Sequence, residues 1–148
     1  MKKFYAIAAC GFLIFALTFQ AFGASTAQEA KALVNQAIAF YKANGREKAL
    51  AEFSNPKGQF VKGHLYIFAY NPKGTIIAHG GDPKLVGQNF INVKDADGKY
   101  FVREFIKIGP KGGWVDYKWM NYKTDKIEAK RSYLERIDDV IIGCGVYK

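Results

Sequence analysis

Residues 114–120 and 65–70 read as strands, and side-chain alternation places Val115, Tyr117 and Trp119 on one face of the first and Tyr66 and Phe68 on one face of the second. Rings gathered this way can wall an apolar enclosure, with core packing as the alternative for Trp119, and the hydroxyls of Tyr117 and Tyr133 can donate to an oxygen held inside it. That is the chemistry of capture. Catalysis is poorly supplied: no Ser-His-Asp or Cys-His arrangement and no carboxylate pair stands out. His79 ends a strand, where it can donate to a ligand or cap the following loop, and His64 at a strand start reads as structural. Cys144, flanked by Gly143 and Gly145 in an apolar strand, reads as a small buried hydrophobe with no partner for a metal or a disulfide once the leader that carries Cys10 is removed. Asp95-Ala96-Asp97-Gly98 lacks the later ligands and terminal Glu of an EF-hand, so it reads as a turn before a helix. Neither metal nor cofactor is expected.

The elements that must position these residues follow from period and punctuation. Thr26 with Glu29 three residues on is a capping box, and Ala30, Leu33, Val34, Ala37, Ile38 and Tyr41 then form one helical stripe that Asn44-Gly45 ends. A second helix is predicted over 46–53. Residues 65–70 and 75–79 form a hairpin about Asn71-Pro72-Lys73-Gly74, a loop fills 80–98, and a helix covers 99–108. Three strands follow at 114–120, 127–136 and 140–147. The fold class is therefore α+β, an antiparallel sheet of about five strands with a long N-terminal helix on one face and a short helix and loop over the other.

A chain of 148 residues with 49% hydrophobic and 24% charged residues has the composition of one globular domain. Its net charge of +9 attracts anions in general, but Lys57, Lys62, Lys73, Lys84, Lys94, Lys107 and Lys118 are scattered singly rather than in a stripe, so nucleic acid is not the expected partner. Met1-Lys2-Lys3, the uncharged apolar run 4–19 and the small residues around Phe22 compose a secretory signal peptide, with cleavage before Ala24. The expected division is 1–23 leader and 24–148 domain, periplasmic or secreted. Two alternatives stand beside it: a lipoprotein box at Ile7-Ala8-Ala9-Cys10, and an uncleaved anchor that holds the domain outside the cytoplasmic membrane.

Six blocks stand in order along the chain: Gly63-His64-Leu65-Tyr66-Ile67-Phe68 with Asn71-Pro72-Lys73-Gly74 and His79, Asp82-Pro83-Lys84-Leu85-Val86-Gly87-Gln88-Asn89, Asp95-Ala96-Asp97-Gly98-Lys99-Tyr100-Phe101, Gly113-Trp114-Val115-Asp116-Tyr117, Lys130-Arg131-Ser132-Tyr133 and Ile142-Gly143-Cys144-Gly145-Val146-Tyr147. Together they resemble the single-Cache family of extracytoplasmic PAS-like sensor domains. The resemblance covers nearly all of the chain beyond the leader. It departs at His79, which Pro usually follows at once and Gly80-Gly81-Asp82-Pro83 follows here, and at the short last hairpin, 136–140.

The resemblance implies a sensor of small organic acids such as acetate, propionate, lactate or pyruvate, in the manner of chemoreceptor and sensor-kinase input modules or of free periplasmic proteins. The chain runs only to Lys148, just past the last strand, so a separate membrane chemoreceptor, sensor kinase or transporter is the expected partner. Lys130 and Tyr133 match the family's ligand-proximal strand, with Lys130 pairing the carboxylate and Arg103 offering a second cation. Without the resemblance Lys130 reads as a solvated strand lysine. Regular alternation puts Lys130 and Tyr133 on opposite faces, so both face a ligand only across a bulge. The competing reading is an envelope structural or interaction protein with a non-functional pocket.

Overall fold

The computed structural model describes residues 25–148, so the leader, its cleavage point and Cys10 lie outside the described residues. Thr26 starts the first helix: its hydroxyl accepts the Glu29 N–H at 3.2 Å and its own N–H donates to the Glu29 carboxylate at 2.6 Å. These are donors that a helix start otherwise leaves to water. Helix α1, Ala27–Asn44, buries the predicted stripe from Ala30 to Tyr41. Gly45, at φ 82°, adopts a conformation open to glycine and turns the chain directly into α2, Arg46–Phe53.

Strands β1 (Val61–Lys62) and β2 (Leu65–Tyr66) pair with each other, while β3 (Phe68–Tyr70), β4 (Ile76–His79), β5 (Gly113–Asn121), β6 (Lys126–Ile137) and β7 (Val140–Tyr147) form an antiparallel sheet in the order β4-β3-β7-β6-β5. The last strand in sequence is thus the central one. Covered on both faces, β7 is buried from Val140 to Val146. Val140, Ile142, Cys144 and Val146 meet α1 and α2 in one core, and Ile141 joins Phe68, Phe101, Phe105, Tyr117 and Leu134 in a second core on the opposite face. Burial pushes the Cys144 thiol up to about 12, as suits a packing residue.

Two elements differ from expectation. The strand predicted over 65–70 is divided at Ile67, whose N–H donates to Phe60 O and whose carbonyl accepts the Gly80 N–H, so β2 turns away to pair with β1 and β3 alone enters the large sheet. The helix predicted over 99–108 is regular only at Phe101–Phe105, here α3. Beyond it Lys107 and Ile108 donate three residues back, to Glu104 and Phe105, in the tighter geometry of a fraying end. Among the described residues no helix is long and apolar enough to cross a membrane.

The loop between β4 and α3 lies along both edges of the sheet. Gly87 and Gln88 exchange backbone hydrogen bonds with Ile76 on the outer side of β4. Farther on, the Asp95 carboxylate accepts the Lys118 N–H at 2.9 Å and Lys99 Nζ donates to Asp116 O, both on β5. The other Asp95 oxygen accepts the N–H groups of Asp97 and Lys99, so this acidic segment is a turn built on backbone donors. One strap therefore closes two strand edges.

The capping box yields a direct expectation. Thr26→Ala lowers stability by about 1 kcal/mol, read in urea as an earlier midpoint with unchanged slope; an unchanged midpoint shows that the α1 start contributes nothing to the folded state.

Candidate functional site

Lys130 stands in β6 opposite Tyr117 of β5 and Tyr147 of β7. It is 1% exposed. Its Nζ donates to the Tyr66 hydroxyl at 2.7 Å and lies 4.1 Å from the Tyr66 ring centre, 4.9 Å from that of Tyr147 and 5.6 Å from that of Phe68. None of the ion pairs among the described residues includes it. An amine so enclosed loses hydration with no opposite charge in return, and burial pulls Lys130 down to about 7.

The glycines of β7 make this burial sterically possible. A Cβ on Gly145 would fall 2.5 Å from Lys130 Cε and 2.2 Å from Ser132 Oγ, and one on Gly143 would fall 2.5 Å from the Phe68 ring. The lysine stem and the phenyl ring occupy the space that side chains on β7 would fill. A hydroxyl relay continues from the amine. Tyr147 donates to Met120 O at 2.6 Å, so the Tyr66 hydroxyl, 3.4 Å away, accepts from Lys130 and passes its own proton toward Tyr147.

His79 fixes the other side. Its Nδ1 accepts the Asp82 N–H at 2.8 Å, which leaves the ring proton on Nε2. Burial, aided by the Lys130 charge, lowers it to about 3, so the imidazole is neutral across the physiological range. The extra Gly80-Gly81 has a steric reason: a Cβ on Gly81 would lie 2.9 Å from the Tyr66 ring, so only glycine lets the loop lie flat on it. Tyr117, stacked on Phe101 at 4.9 Å and 7°, bonds Ser132 Oγ at 3.0 Å.

Lys130, Tyr66, Phe68, His79, Tyr117 and Trp119 thus line one cavity of about 10 Å³, which Tyr70, Phe101 and Phe105 complete. It has room for about one water. Tyr66 also backs an open outer pocket of about 190 Å³ between His64, Gly81, Tyr122 and Lys123. The structure does not bring Tyr133 or Arg103 to this cavity. The register of β6 is unbroken along both neighbours, so no bulge turns Tyr133 inward. It packs against Trp114 beneath Lys31 of α1, its hydroxyl donating to Glu135. Arg103 stacks 3.8 Å from the Tyr100 ring centre and donates to Ile91 O and Asn92, securing the strap.

Sequence reasoning missed Tyr70, Phe101, Phe105 and Tyr147 as site residues. The apolar face of the predicted helix carried Phe101 and Phe105, and alternation with Gly143 and Gly145 carried Tyr147. No group of three or more His, Cys, Asp or Glu among the described residues could hold a metal ion.

Known proteins are similar to this chain in sequence and fold. The family described as Single Cache domain 2 matches residues 19–148. A sensor histidine kinase, MctS of Rhizobium johnstonii, is 32% identical over 85 residues, 55% of this chain and 18% of that protein, so the chain spans under a fifth of that relative's length. A methyl-accepting chemotaxis protein from Vibrio parahaemolyticus superposes with a TM-score of 0.70 at 24% identity, over 81% of this chain and 86% of that one. A Cache chemosensory domain solved for its carboxylic acid recognition gives a TM-score of 0.60 at 25% identity, with the same coverage.

The buried amine has a signature in stability. Lys130 holds its proton to higher pH when unfolded, so between pH 7 and the ordinary lysine range the unfolded chain binds more protons and the folded state gains up to about 1.4 kcal/mol per pH unit. Below pH 7 both states are protonated and the cost of the buried charge is constant. Lys130→Met is therefore more stable than the parent at pH 6, and the difference shrinks as pH rises to 9; parallel denaturation curves at every pH would contradict the burial. Gly145→Ala, which forces apart Ser132 and Lys130, costs about 1–3 kcal/mol in the same measurement.

Proposed function

This chain belongs to the single Cache domain 2 family, and from that premise we propose that it is an exported sensor domain for a small organic acid of the acetate, propionate, lactate or pyruvate class, working with a separate membrane signalling or transport partner. Single Cache domains are extracytoplasmic ligand-binding modules, and the relatives here are chemoreceptor and sensor-kinase domains. The leader read in residues 1–23 accounts for export.

One observation carries the reading: a fully buried Lys130 with a neutral phenol as its hydrogen-bond partner and no carboxylate among the described residues to pair with it. A ligand carboxylate supplies the missing charge, since a charge-assisted bond in a dry site is about twice as strong as a neutral one. Tyr66, Phe68, Tyr117 and Trp119 enclose the alkyl end, and His79 offers Nε2–H as a further donor. The cavity of about 10 Å³ is smaller than any of these acids. Binding thus displaces the Tyr66 hydroxyl from Lys130 and moves the rings apart, a change that a partner can read.

The same small cavity favours one competing reading, an envelope interaction protein whose pocket is filled by its own aromatic side chains. Thermal unfolding against a panel of monocarboxylates, dicarboxylates and amino acids separates the two. A monocarboxylate at 100 times its dissociation constant adds about 2.7 kcal/mol, several degrees for a domain of this size. Lys130→Met abolishes the shift, while Tyr133→Phe and Arg103→Lys retain it. A panel without any shift favours the interaction protein.

A further inference from the structure

Tyr66 from β2, Tyr70 from β3, His79 from β4, Tyr117 from β5 and Tyr147 from β7 face Lys130, and the Cys144 thiol of β7 lies nearby on the opposite, helical face. Phe101 and Phe105 of α3 carry no charge, and Tyr122 of the β5–β6 turn stands beside His79 at 6.1 Å. The Asp82 carboxylate, at the loop behind His79, is turned to the Lys84 N–H. Burial holds every one of the tyrosines and the thiol above its usual range and His79 below its own. Lys130 is thus the one group lining this cavity that changes charge near neutral pH, and its surroundings offer one lone pair and three ring faces to a cation.

Resting on the small-acid reading above, we propose that on the alkaline side of neutrality the site takes up a carboxylate and a proton together: Lys130, buried with no counter-charge, is there an uncharged amine in the empty site and becomes an ammonium as the acid arrives. The balance is simple. An anion RCOO⁻ and one solvent proton enter, the lysine nitrogen gains an N–H bond, and an ion pair is left in the cavity. Entry of the neutral acid RCOOH gives the same product by transfer of its own proton.

Mass action then fixes what the domain measures. Above the midpoint of the amine, occupancy follows the product of anion and proton concentrations, which at equilibrium is proportional to the concentration of undissociated acid. That neutral form is the one that crosses a lipid bilayer unaided. The domain then reads the acid that can enter the cell rather than the total anion outside it, and only below the midpoint does it report the anion alone.

The test is calorimetric titration of the exported chain with acetate, propionate, lactate and pyruvate from about pH 5.5 to 8.5, each in two buffers of different ionisation enthalpy. The expected result is nearly one proton taken up per ligand at the alkaline end, nearly none at the acid end, and a Kd that rises about tenfold per pH unit above neutrality. A ligand that binds with flat Kd and buffer-independent heat overturns proton coupling and leaves the small-acid reading standing. No binding of any acid at any pH overturns both. A readout that needs no ligand is the nitrogen NMR titration of lysine amines, with the Lys130 signal identified by its loss in Lys130→Met. A midpoint near neutrality is expected, and one near that of free lysine overturns the inference whatever binds.

Discussion

An ammonium group taken wholly out of water forfeits several kcal/mol of hydration unless an anion meets it, and in this fold none of the described side chains does. Much of the local structure is arranged around that deficit. Gly143 and Gly145 clear the floor of β7 for the Phe68 ring and the Lys130 stem. Tyr66 supplies the lone pair, and Gly81 presses the following loop flat on the Tyr66 ring. Burial keeps the His79 imidazole neutral, so it adds no repulsion, and the bond from the Asp82 N–H holds its ring in place. Remove the requirement for a buried amine and these choices lose their common reason.

The central position of β7 links that cavity to the rest of the molecule. Its even-numbered residues from Val140 to Val146 hold α1 and α2, while Gly143, Gly145 and Tyr147 support the Lys130 site from the other face. Packing as dense as a protein interior moves in discrete rearrangements rather than by smooth compression. A Phe68 ring displaced from Gly143, or a Lys130 stem displaced from Gly145, is therefore felt on the helical face one residue away.

Much of this was legible in the residues. The Thr26–Glu29 box, the α1 stripe and the last three strands follow from capping chemistry and period alone, since each is decided by near neighbours in sequence. Other features are decided by partners distant in the chain. Ile67 breaks its strand because Phe60 and Gly80 claim its backbone. The burial of Lys130, which composition argues against, depends on glycines thirteen and fifteen residues downstream and on a tyrosine on another strand. Tyr133 shows the reverse: plain alternation places it on the helical face, and the family resemblance drew it toward the ligand. The volume of the cavity is a sum over many side chains and has no sequence signal.

The strap between β4 and α3 joins two duties, edge protection and core packing. It caps the outer edge of β4 with Gly87 and Gln88, caps β5 with Asp95 and Lys99, and between them contributes Phe90 and Ile91 to the packing of the core under α3. Loosening it at one point frees hydrogen-bonding groups on both flanks of the sheet at once. Substitutions that slacken the strap are thus liable to surface first as insolubility during expression, with strands of separate molecules stacking edge to edge, before any defect in sensing can be observed.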